Sequence, residues 1–222
     1  MKQFLIEPSI LSADFARLGE DISKVVTAGA DVLHFDVMDN HYVPNLSMGP
    51  MVLKSIRDYG ISIPINVHLM TKPIDRLILD FARSGATCIS FHPESTEHVD
   101  RSLQLIKENG CESGLVLNPT TTLDCLSYVI HQISVIILMS VNPGFGGQLF
   151  LPMTLHKVSQ VCKLIKETNN NHVNVAVDGG INVENFSSIY KAGANVFIIG
   201  SSIFNCKSYR SIINTFRSML LI

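Results

Sequence analysis

The sequence predicts a single-domain (β/α)8 barrel of the TIM-barrel type. Short runs rich in Val, Ile and Leu alternate with amphipathic stretches throughout the 222 residues. Strict alternation of strand and helix implies parallel strands joined by right-handed crossovers. A unit of about 27 residues holds one strand, one helix and short loops, so eight units fit. Glycines end successive amphipathic stretches, where a helix C-terminal glycine belongs; these are Gly29, Gly60, Gly85, Gly110 and Gly193.

The predicted strands are short runs of β-branched and other apolar residues. They cover Phe4–Ile10, Val32–Met38, Ile63–Leu69, Thr87–Phe91, Glu112–Leu117, Val135–Met139, Val173–Val177 and Asn195–Ile199. The helices are expected to begin near Ser12, Pro50, Pro73, Glu97, Leu123, Pro152, Val183 and Ser202. An open doubly wound sheet is the alternative, but no G-x-G-x-x-G motif follows the first strand. No linker interrupts the pattern, so residues 1–222 are interpreted as one barrel domain.

Composition narrows the class of partner. The chain is 46% hydrophobic and 16% charged, with a formal net charge of -2, so nothing in its charge favours a nucleic acid or an anionic membrane. Five cysteines without a C-x-x-C pair indicate reduced thiols and a cytoplasmic protein. The N-terminal apolar stretch is interrupted early by Glu7 and Pro8, unlike a signal peptide. No apolar run is long enough to span a membrane.

The stretch Val32 to Asp39 places an imidazole and a carboxylate on one strand face. Residues two apart in a strand point the same way, so His34 and Asp36 share a face. Burying both requires partners, which a metal ion or a substrate would supply. A core histidine hydrogen-bonded to its neighbouring aspartate is the alternative reading of this stretch.

Two other strands carry comparable residues at their C-terminal ends, where barrel active sites lie. His68 lies near the end of the third strand, and Asp178 follows the seventh. With His34 and Asp36 they form a nitrogen and oxygen donor set that suits one divalent ion, Zn²⁺, Fe²⁺, Mn²⁺ or Co²⁺. A hydrogen-bonded polar cluster without metal is the alternative.

Glycine-rich segments follow the sixth, seventh and eighth strands. They are Gly144–Phe145–Gly146–Gly147, Gly179–Gly180 and Gly200–Ser201. Glycine lets backbone N–H groups approach a ligand, and barrels commonly bind phosphate after strands 7 and 8. Three such segments on adjacent strands therefore favour a phosphate site over tight turns alone. Met38, Met70 and Met139 also fall near strand ends, as core packing by default or as an apolar wall of the site.

These motifs resemble the ribulose-phosphate 3-epimerase family. The resemblance runs from about residue 5 to residue 205, and its segments keep the family's order and spacing: Pro8–Asp14, His34–Asp39, Val43–Asn45, His68–Met70, Val141–Gln148 and Val177–Ile181. It implies a cytoplasmic isomerase that interconverts D-ribulose 5-phosphate and D-xylulose 5-phosphate in the pentose phosphate pathway. It also implies, more weakly, a homo-oligomer.

By position, the resemblance assigns the metal to His34, Asp36, His68 and Asp178, and proton transfer to Asp36 and Asp178. Substrate contacts fall on Ser9, His34, His68, Gly144, Phe145, Gly146, Gly147, Asp178, Gly179, Gly180, Gly200 and Ser201. The chemistry agrees with the residue types. Inverting C3 of a 2-ketose phosphate needs one carboxylate on each face of the sugar, and a metal would stabilise the cis-enediolate as a Lewis acid.

Three alternatives stay open at this point. A related barrel could epimerise a hexulose 6-phosphate at the same carbon, and only relative turnover separates the two sugars. A metal-dependent lyase or decarboxylase would usually want a lysine near the site; none lies within the strand-end motifs, and the nearest is Lys72. A non-catalytic phosphate-binding barrel would have no need for two acids beside two histidines.

Overall fold

Eight parallel strands form the barrel in a computed structural model that describes residues 4–220. The ends of the predicted domain, residues 1–3 and 221–222, lie outside the described residues. The strands are β1 Leu5–Pro8, β2 Leu33–Met38, β3 Ile65–Met70, β4 Cys88–Phe91, β5 Glu112–Leu117, β6 Val135–Met139, β7 Asn174–Asp178 and β8 Val196–Ile199. All eight predicted strands are therefore confirmed, with ends that differ by at most two residues.

Helices lie between successive strands and after the last strand. They are α1 Leu18–Thr27, α2 Pro50–Asp58, α3 Asp75–Arg83, α4 Val99–Glu108, α5 Leu126–Val129, α6 Thr154–Glu167, α7 Phe186–Ala192, α8 Ser201–Phe204 and α9 Tyr209–Ser218. Short 3-10 turns cover Ile10–Ser12, Phe15–Arg17, Pro93–Ser95 and Ile130–Gln132. Among the described residues, no helix is long and apolar enough to cross a membrane.

The strand order closes the sheet almost completely. Neighbouring strands pair in the order β1-β8-β7-β6-β5-β4-β3-β2. The seam between β1 and β2 holds a parallel bridge between Ser9 and His34, and the Asp31 backbone N–H donates to the Ile6 carbonyl oxygen at 3.0 Å. In the β2–β3 ladder Asp36 lies beside His68. This register brings the polar ends of β1, β2 and β3 side by side.

Alternation along each strand separates two packing layers. Odd-numbered β2 residues such as Phe35 face the helices, where Phe35 packs edge-on against Phe81 of α3 with ring centroids 5.7 Å apart. The barrel interior is a separate cluster that includes Val116, Ile137 and Ile198. Beside this apolar cluster, Asp36, His68 and Asp178 lie in the C-terminal halves of β2, β3 and β7.

The predicted helix-ending glycines are confirmed. Each has a positive φ between 78° and 118°, a conformation that glycine adopts without the steric cost that other residues carry. The five are Gly29, Gly60, Gly85, Gly110 and Gly193.

Two helix predictions were wrong in detail. The helix expected from Ser12 begins at Leu18, because Asp14 instead caps a 3-10 turn and Arg17 has a non-helical φ of -136°. The last helix, expected as one element from near Ser202, is two: α8 ends at Phe204, and α9 begins after Ser208, whose hydroxyl accepts from the Ser211 N–H. A serine cap followed by helical spacing of Ile213 and Phe216 was the available signal.

Candidate active site

A pocket opens at the C-terminal mouth of the barrel and collects most of the predicted site residues. Two carboxylates, Asp36 and Asp178, lie in its lining. The other predicted residues in the lining are Ser9, Met38, Met70, Met139, Gly144, Phe145, Gly146, Gly147, Gly179, Gly180, Gly200 and Ser201. His34 and His68 are completely buried beneath the pocket and are not part of its surface.

Four donor atoms converge at the floor of this pocket. His34 Nε2 lies 3.3 Å from Asp36 Oδ1 and 3.7 Å from Asp178 Oδ2. His68 Nδ1 lies 3.2 Å and 3.8 Å from the same two oxygens. The two ring nitrogens are 3.3 Å apart. All four donors lie within 4.8 Å of one another, so His34, Asp36, His68 and Asp178 could hold one metal ion.

The donor spacing suits a small divalent ion. Metal bonds to His nitrogen and carboxylate oxygen of about 2.0–2.2 Å place tetrahedral ligands roughly 3.4 Å apart. Five of the six donor pairs, at 3.2 to 3.8 Å, lie near that value. The set contains no thiolate, and its mixture of imidazole and carboxylate suits Zn²⁺, Fe²⁺, Mn²⁺ or Co²⁺.

Glu7 of β1 and Ser9 just after this strand contact the cluster. Glu7 Oε1 lies 2.7 Å from His34 Nδ1, and both side chains are almost fully buried. A carboxylate in this place accepts the His34 Nδ1 proton and so leaves Nε2, which faces the cluster, without a proton. The Ser9 hydroxyl donates to Asp36 Oδ2 at 2.5 Å. Sequence reasoning missed Glu7, although its alternation with Ser9 along β1 was a signal that it faces inward.

The second residue that sequence reasoning missed is His92, just past β4. Its Nε2 lies 2.9 Å from His68 Nε2, on the side of the ring away from the cluster. Its ring packs against Tyr42 with centroids 5.0 Å apart. The Tyr42 hydroxyl accepts from Asn118 Nδ2 at 2.9 Å, and burial raises the pKa of Tyr42 to about 12. No sequence spacing marked His92, because its contact depends on the packing of β3 beside β4.

Burial and charge oppose one another at the cluster. Burial alone lowers the pKa of His34, but Asp36, Glu7 and Asp178 surround the ring and raise its pKa well above the usual range. Burial raises the pKa of Asp36, but hydrogen bonds and charge from His34 and His68 outweigh it, so the pKa of Asp36 lies below its ordinary value. His34 and Asp36 therefore stabilise one another's charged forms.

Asp178 behaves in the opposite way. Burial raises the pKa of Asp178 to about 7, and the charges of Asp36 and Glu7 add to the increase while His34 opposes it. Two carboxyl groups at one site thus have pKa values pushed apart. Such a separation suits one group to hold a proton while the other accepts one.

Glycines form much of the pocket wall. Gly179 and Gly180 both have positive φ, at 113° and 64°. A Cβ on Gly179 would lie 2.4 Å from a Val141 methyl, and one on Gly180 would lie 2.5 Å from the Phe150 nitrogen. Side chains are therefore excluded here by conformation and by space, and the backbone itself forms the surface that a ligand meets.

The rest of the pocket lining combines apolar side chains with Ser12 and Gln148, without a basic side chain among the described residues. Met38, Met70 and Met139 are at most 4% exposed and line the pocket. Within residues 4–220 no lysine or arginine lines it. Lys72 Nζ instead donates to the Glu94 carbonyl oxygen on an exposed loop. The arrangement thus lacks the amine that Schiff-base chemistry would require.

A wider groove of about 850 Å³ lies outside the barrel, between α1 and the segment that joins the end of α8 to the start of α9. Several of its polar groups bond to one another: Lys24 pairs with Glu20 at 2.6 Å, and the Tyr209 hydroxyl donates to Asp21 at 2.6 Å. None of the predicted site residues lines this groove, which shares only Ser12 with the barrel pocket. The chemistry therefore resides in the smaller pocket at the barrel mouth.

Fold and site together define a barrel enzyme that acts on a small molecule at the C-terminal ends of its strands. Comparison with known proteins is more specific. The model of the ribulose-phosphate 3 epimerase family matches residues 5–204, and the chain belongs to this family.

Curated relatives extend the likeness over nearly the whole chain. The ribulose-phosphate 3-epimerase of Escherichia coli strain K12 is 61% identical over 220 residues, covering 99% of this chain and 97% of that protein. The ribulose-phosphate 3-epimerase of Buchnera aphidicola subsp. Acyrthosiphon pisum is 56% identical over 220 residues, covering 99% and 96%. An isomerase family is therefore established for this chain.

Solved structures of lower identity share the fold. KGPDC from Streptococcus mutans has a TM-score of 0.73 at 15% identity, covering 97% of this chain and 96% of that one. A 3-hexulose-6-phosphate synthase has a TM-score of 0.67 at 14% identity, covering 96% and 98%. At these identities the likeness demonstrates the (β/α)8 barrel alone.

Proposed function

We propose that this chain interconverts D-ribulose 5-phosphate and D-xylulose 5-phosphate by inverting the configuration at C3, with residues 1–222 as one catalytic domain. The observation that carries the proposal is the meeting of Asp36 from β2 and Asp178 from β7 beside two buried histidines, in a chain of this family. The strands β1 and β8 separate the two acids around the barrel, so a substrate at the mouth has one acid on either side.

The proposed steps are two proton transfers at one carbon. One carboxylate removes the C3 proton from one face and leaves a cis-enediolate, and the other carboxylate returns a proton to the opposite face. The separated pKa values support this division, since the pKa of Asp178 is about 7 and that of Asp36 is depressed. The Ser9 hydroxyl that donates to Asp36 Oδ2 would hold that carboxylate in its orientation.

The proposed metal ligands are His34 Nε2, Asp36 Oδ1, His68 Nδ1 and Asp178 Oδ2. Their spacing and chemistry fit one Zn²⁺, Fe²⁺, Mn²⁺ or Co²⁺ per chain. When bound, such an ion acts as a Lewis acid towards the sugar's C2 carbonyl oxygen and makes the C3 proton more acidic. Glu7 would hold His34 in the tautomer that binding requires.

The glycine segments are proposed to hold the substrate's phosphate. Gly144 to Gly147, Gly179, Gly180, Gly200 and Ser201 border one pocket without a basic side chain, so backbone N–H groups rather than lysine or arginine would bind the anion. The buried methionines would keep water away from the enediolate. His34 and His68 would reach the sugar only through the metal, because neither ring is exposed in the pocket.

Conversion of D-ribulose 5-phosphate to D-xylulose 5-phosphate by the purified protein tests the proposal. We expect turnover that chelation abolishes and that one of the four ions restores, with much lower efficiency for unphosphorylated ribulose and for a hexulose 6-phosphate. Failure to convert the pentulose phosphate under any of the four metals would refute it.

The two acids are tested by deuterium exchange in D₂O. We expect Asp36→Asn and Asp178→Asn each to lower turnover by at least about 10²-fold, the low end of a general acid or base contribution. With metal content measured, each variant should exchange the C3 hydrogen of one epimer only, and the two variants should differ in which epimer. Epimerisation near the parent rate by a variant that retains its metal would contradict the two-acid mechanism.

We also propose a cytoplasmic homo-oligomer. The exposed side chains of Leu46 and Met51, at 72% and 79%, lie on and next to the β2–α2 connection and would be partly covered by a second copy. Five cysteines without a C-x-x-C pair suit a reducing compartment. Light scattering of the purified protein measures the mass, and fractionation of cells that produce it tests the location.

A further inference from the structure

His68 is the one proposed metal ligand whose two ring nitrogens both face imidazole. Its Nδ1 points into the cluster, 3.2 Å from Asp36 Oδ1 and 3.3 Å from His34 Nε2. Its Nε2 points the other way, 2.9 Å from Nε2 of His92. A neutral imidazole carries one proton, and the nitrogen that binds metal must be the one without it. Metal at Nδ1 therefore requires the His68 proton on Nε2.

A nitrogen–nitrogen distance of 2.9 Å requires one donor and one acceptor. If His68 Nε2 carries its proton, His92 Nε2 must be the acceptor, and the His92 proton lies on its own Nδ1. If His92 Nε2 carried the proton instead, the proton of His68 would be on Nδ1, where it blocks metal. The tautomer of His92 thus determines whether His68 Nδ1 is free to bind metal, and switching between the two tautomers changes no net charge.

Two contacts hold His92 in place, and neither of them determines which ring nitrogen carries the proton. Tyr42 packs on the ring face at 5.0 Å, and the His92 carbonyl oxygen accepts from the Ser95 hydroxyl at 2.6 Å. Its Nδ1 is buried and has no hydrogen-bond partner among residues 4–220. Proteins rarely leave a buried ring nitrogen unpaired unless the residue has another use. The hydrogen-bond partner of the His92 ring is therefore His68, which its Nε2 faces.

We propose that His92 is a positioning residue for the metal centre: its Nε2 accepts the Nε2 proton of His68 and so leaves His68 Nδ1 free to bind the ion. This inference rests on the metal site of the proposed function and extends it by one residue. Glu7 is the corresponding acceptor for His34, where a carboxylate accepts the Nδ1 proton. At His68 the acceptor is a neutral imidazole, so it adds no negative charge beside two aspartates and a glutamate.

Metal affinity of three variants tests this acceptor role. His92→Phe keeps an aromatic ring against Tyr42 but has no acceptor, whereas His92→Gln keeps an amide oxygen that can accept. Ser90→Ala is the matched control, since Ser90 lies on the preceding strand, is fully buried, and donates to Asn66 rather than to the cluster. Zn²⁺ and Co²⁺ dissociation constants are measured on chelator-treated protein by competition with a chromophoric chelator, and the visible spectrum of bound Co²⁺ reports its ligand set.

We expect His92→Phe to weaken metal binding about 10- to 100-fold, the usual effect of losing an outer partner of a metal ligand. His92→Gln should recover most of that loss, and Ser90→Ala should bind as the parent does. Parent-like binding by His92→Phe would overturn the inference, and so would an equal loss in His92→Gln. Thermal melting of each variant without metal identifies any failure to fold.

The unmutated protein supplies a second readout that does not depend on any variant folding. Two-bond ¹H–¹⁵N spectra of ¹⁵N-histidine-labelled protein distinguish protonated from unprotonated ring nitrogens. In the Zn²⁺-bound protein we expect a proton on His68 Nε2 and on His92 Nδ1. A proton on His92 Nε2 in that state would overturn the inference while leaving the metal site intact. A parent protein that binds none of the ions would refute the metal site of the proposed function, and this inference with it.

Discussion

Replacing Glu7 should weaken metal binding although Glu7 never touches the metal. Glu7 is 3% exposed and its Oε1 lies 2.7 Å from His34 Nδ1. The bond holds the Nδ1 proton away from the cluster and increases the basicity of Nε2. Glu7→Gln keeps an acceptor oxygen but removes the charge, and Glu7→Leu removes both, so the two variants separate the charge from the hydrogen bond.

The expected magnitudes follow from the bond that each variant loses. A hydrogen bond to a charged group contributes about 1.5–3 kcal/mol and a neutral one about 1 kcal/mol. Glu7→Gln therefore forfeits roughly 1 kcal/mol, or about fivefold in the metal dissociation constant. Glu7→Leu loses the whole outer partner of His34, and we expect a loss of about 10- to 100-fold.

The assay is competition for Zn²⁺ between chelator-treated protein and a chromophoric chelator. Glu112→Gln serves as the control, because Glu112 is an exposed glutamate at the start of β5 that lines the same cavity at the N-terminal end of the barrel as Glu7 does. The reasoning is refuted if Glu7→Leu, folded by its circular dichroism, binds Zn²⁺ as tightly as Glu112→Gln does. A stronger defect in Glu7→Gln than in Glu7→Leu would also contradict it.

The remaining predictions concern stability and pH. Lys157 Nζ donates to three carbonyl oxygens of the β5–α5 loop. Lys157→Met should therefore lower the free energy of unfolding, measured in urea, by about 1–3 kcal/mol or more, because it leaves buried acceptors unpaired. The control Lys163→Met, at an exposed position, should unfold as the parent does. Gly180→Ala should destabilise by at least about 1–2 kcal/mol for its positive φ alone. Gly146→Ala should melt close to the parent, because a Cβ there would lie 3.8 Å from its nearest neighbour, Ser12 Oγ. Equal melting of both variants would contradict the expected strain at Gly180. Asp36, Glu7 and Asp178 raise the pKa of the His34 ring, so Zn²⁺ competes with a proton there and its affinity should rise with pH. Calorimetry in buffers of different ionisation enthalpy counts the protons released on Zn²⁺ binding, and zero release would contradict this prediction.

The sequence predicted the barrel because the information for it is local. Alternation in Leu33–Met38 is visible in a short window, and it sets which side chains face the interior whatever the rest of the chain does. The helix-ending glycines are equally local, since Gly29 needs its positive φ for the turn that follows its own helix. The two helix errors occurred at local capping residues: Asp14 accepts from the Ala16 N–H and caps a 3-10 turn ahead of α1, and Ser208 caps a separate α9.

For the candidate site, the sequence by itself determined which residue types reach the mouth of the barrel, because strand position fixes that for His34, Asp36, His68 and Asp178. Only the tertiary structure decided which atoms meet. The pairing of Glu7 with His34 depends on closure of the sheet between β1 and β2, and the contact of His92 with His68 depends on the packing of β4 beside β3. Such contacts join residues more than twenty positions apart. Their distances follow from strand register and barrel curvature, which the whole assembly of strands sets together and no single stretch of sequence contains.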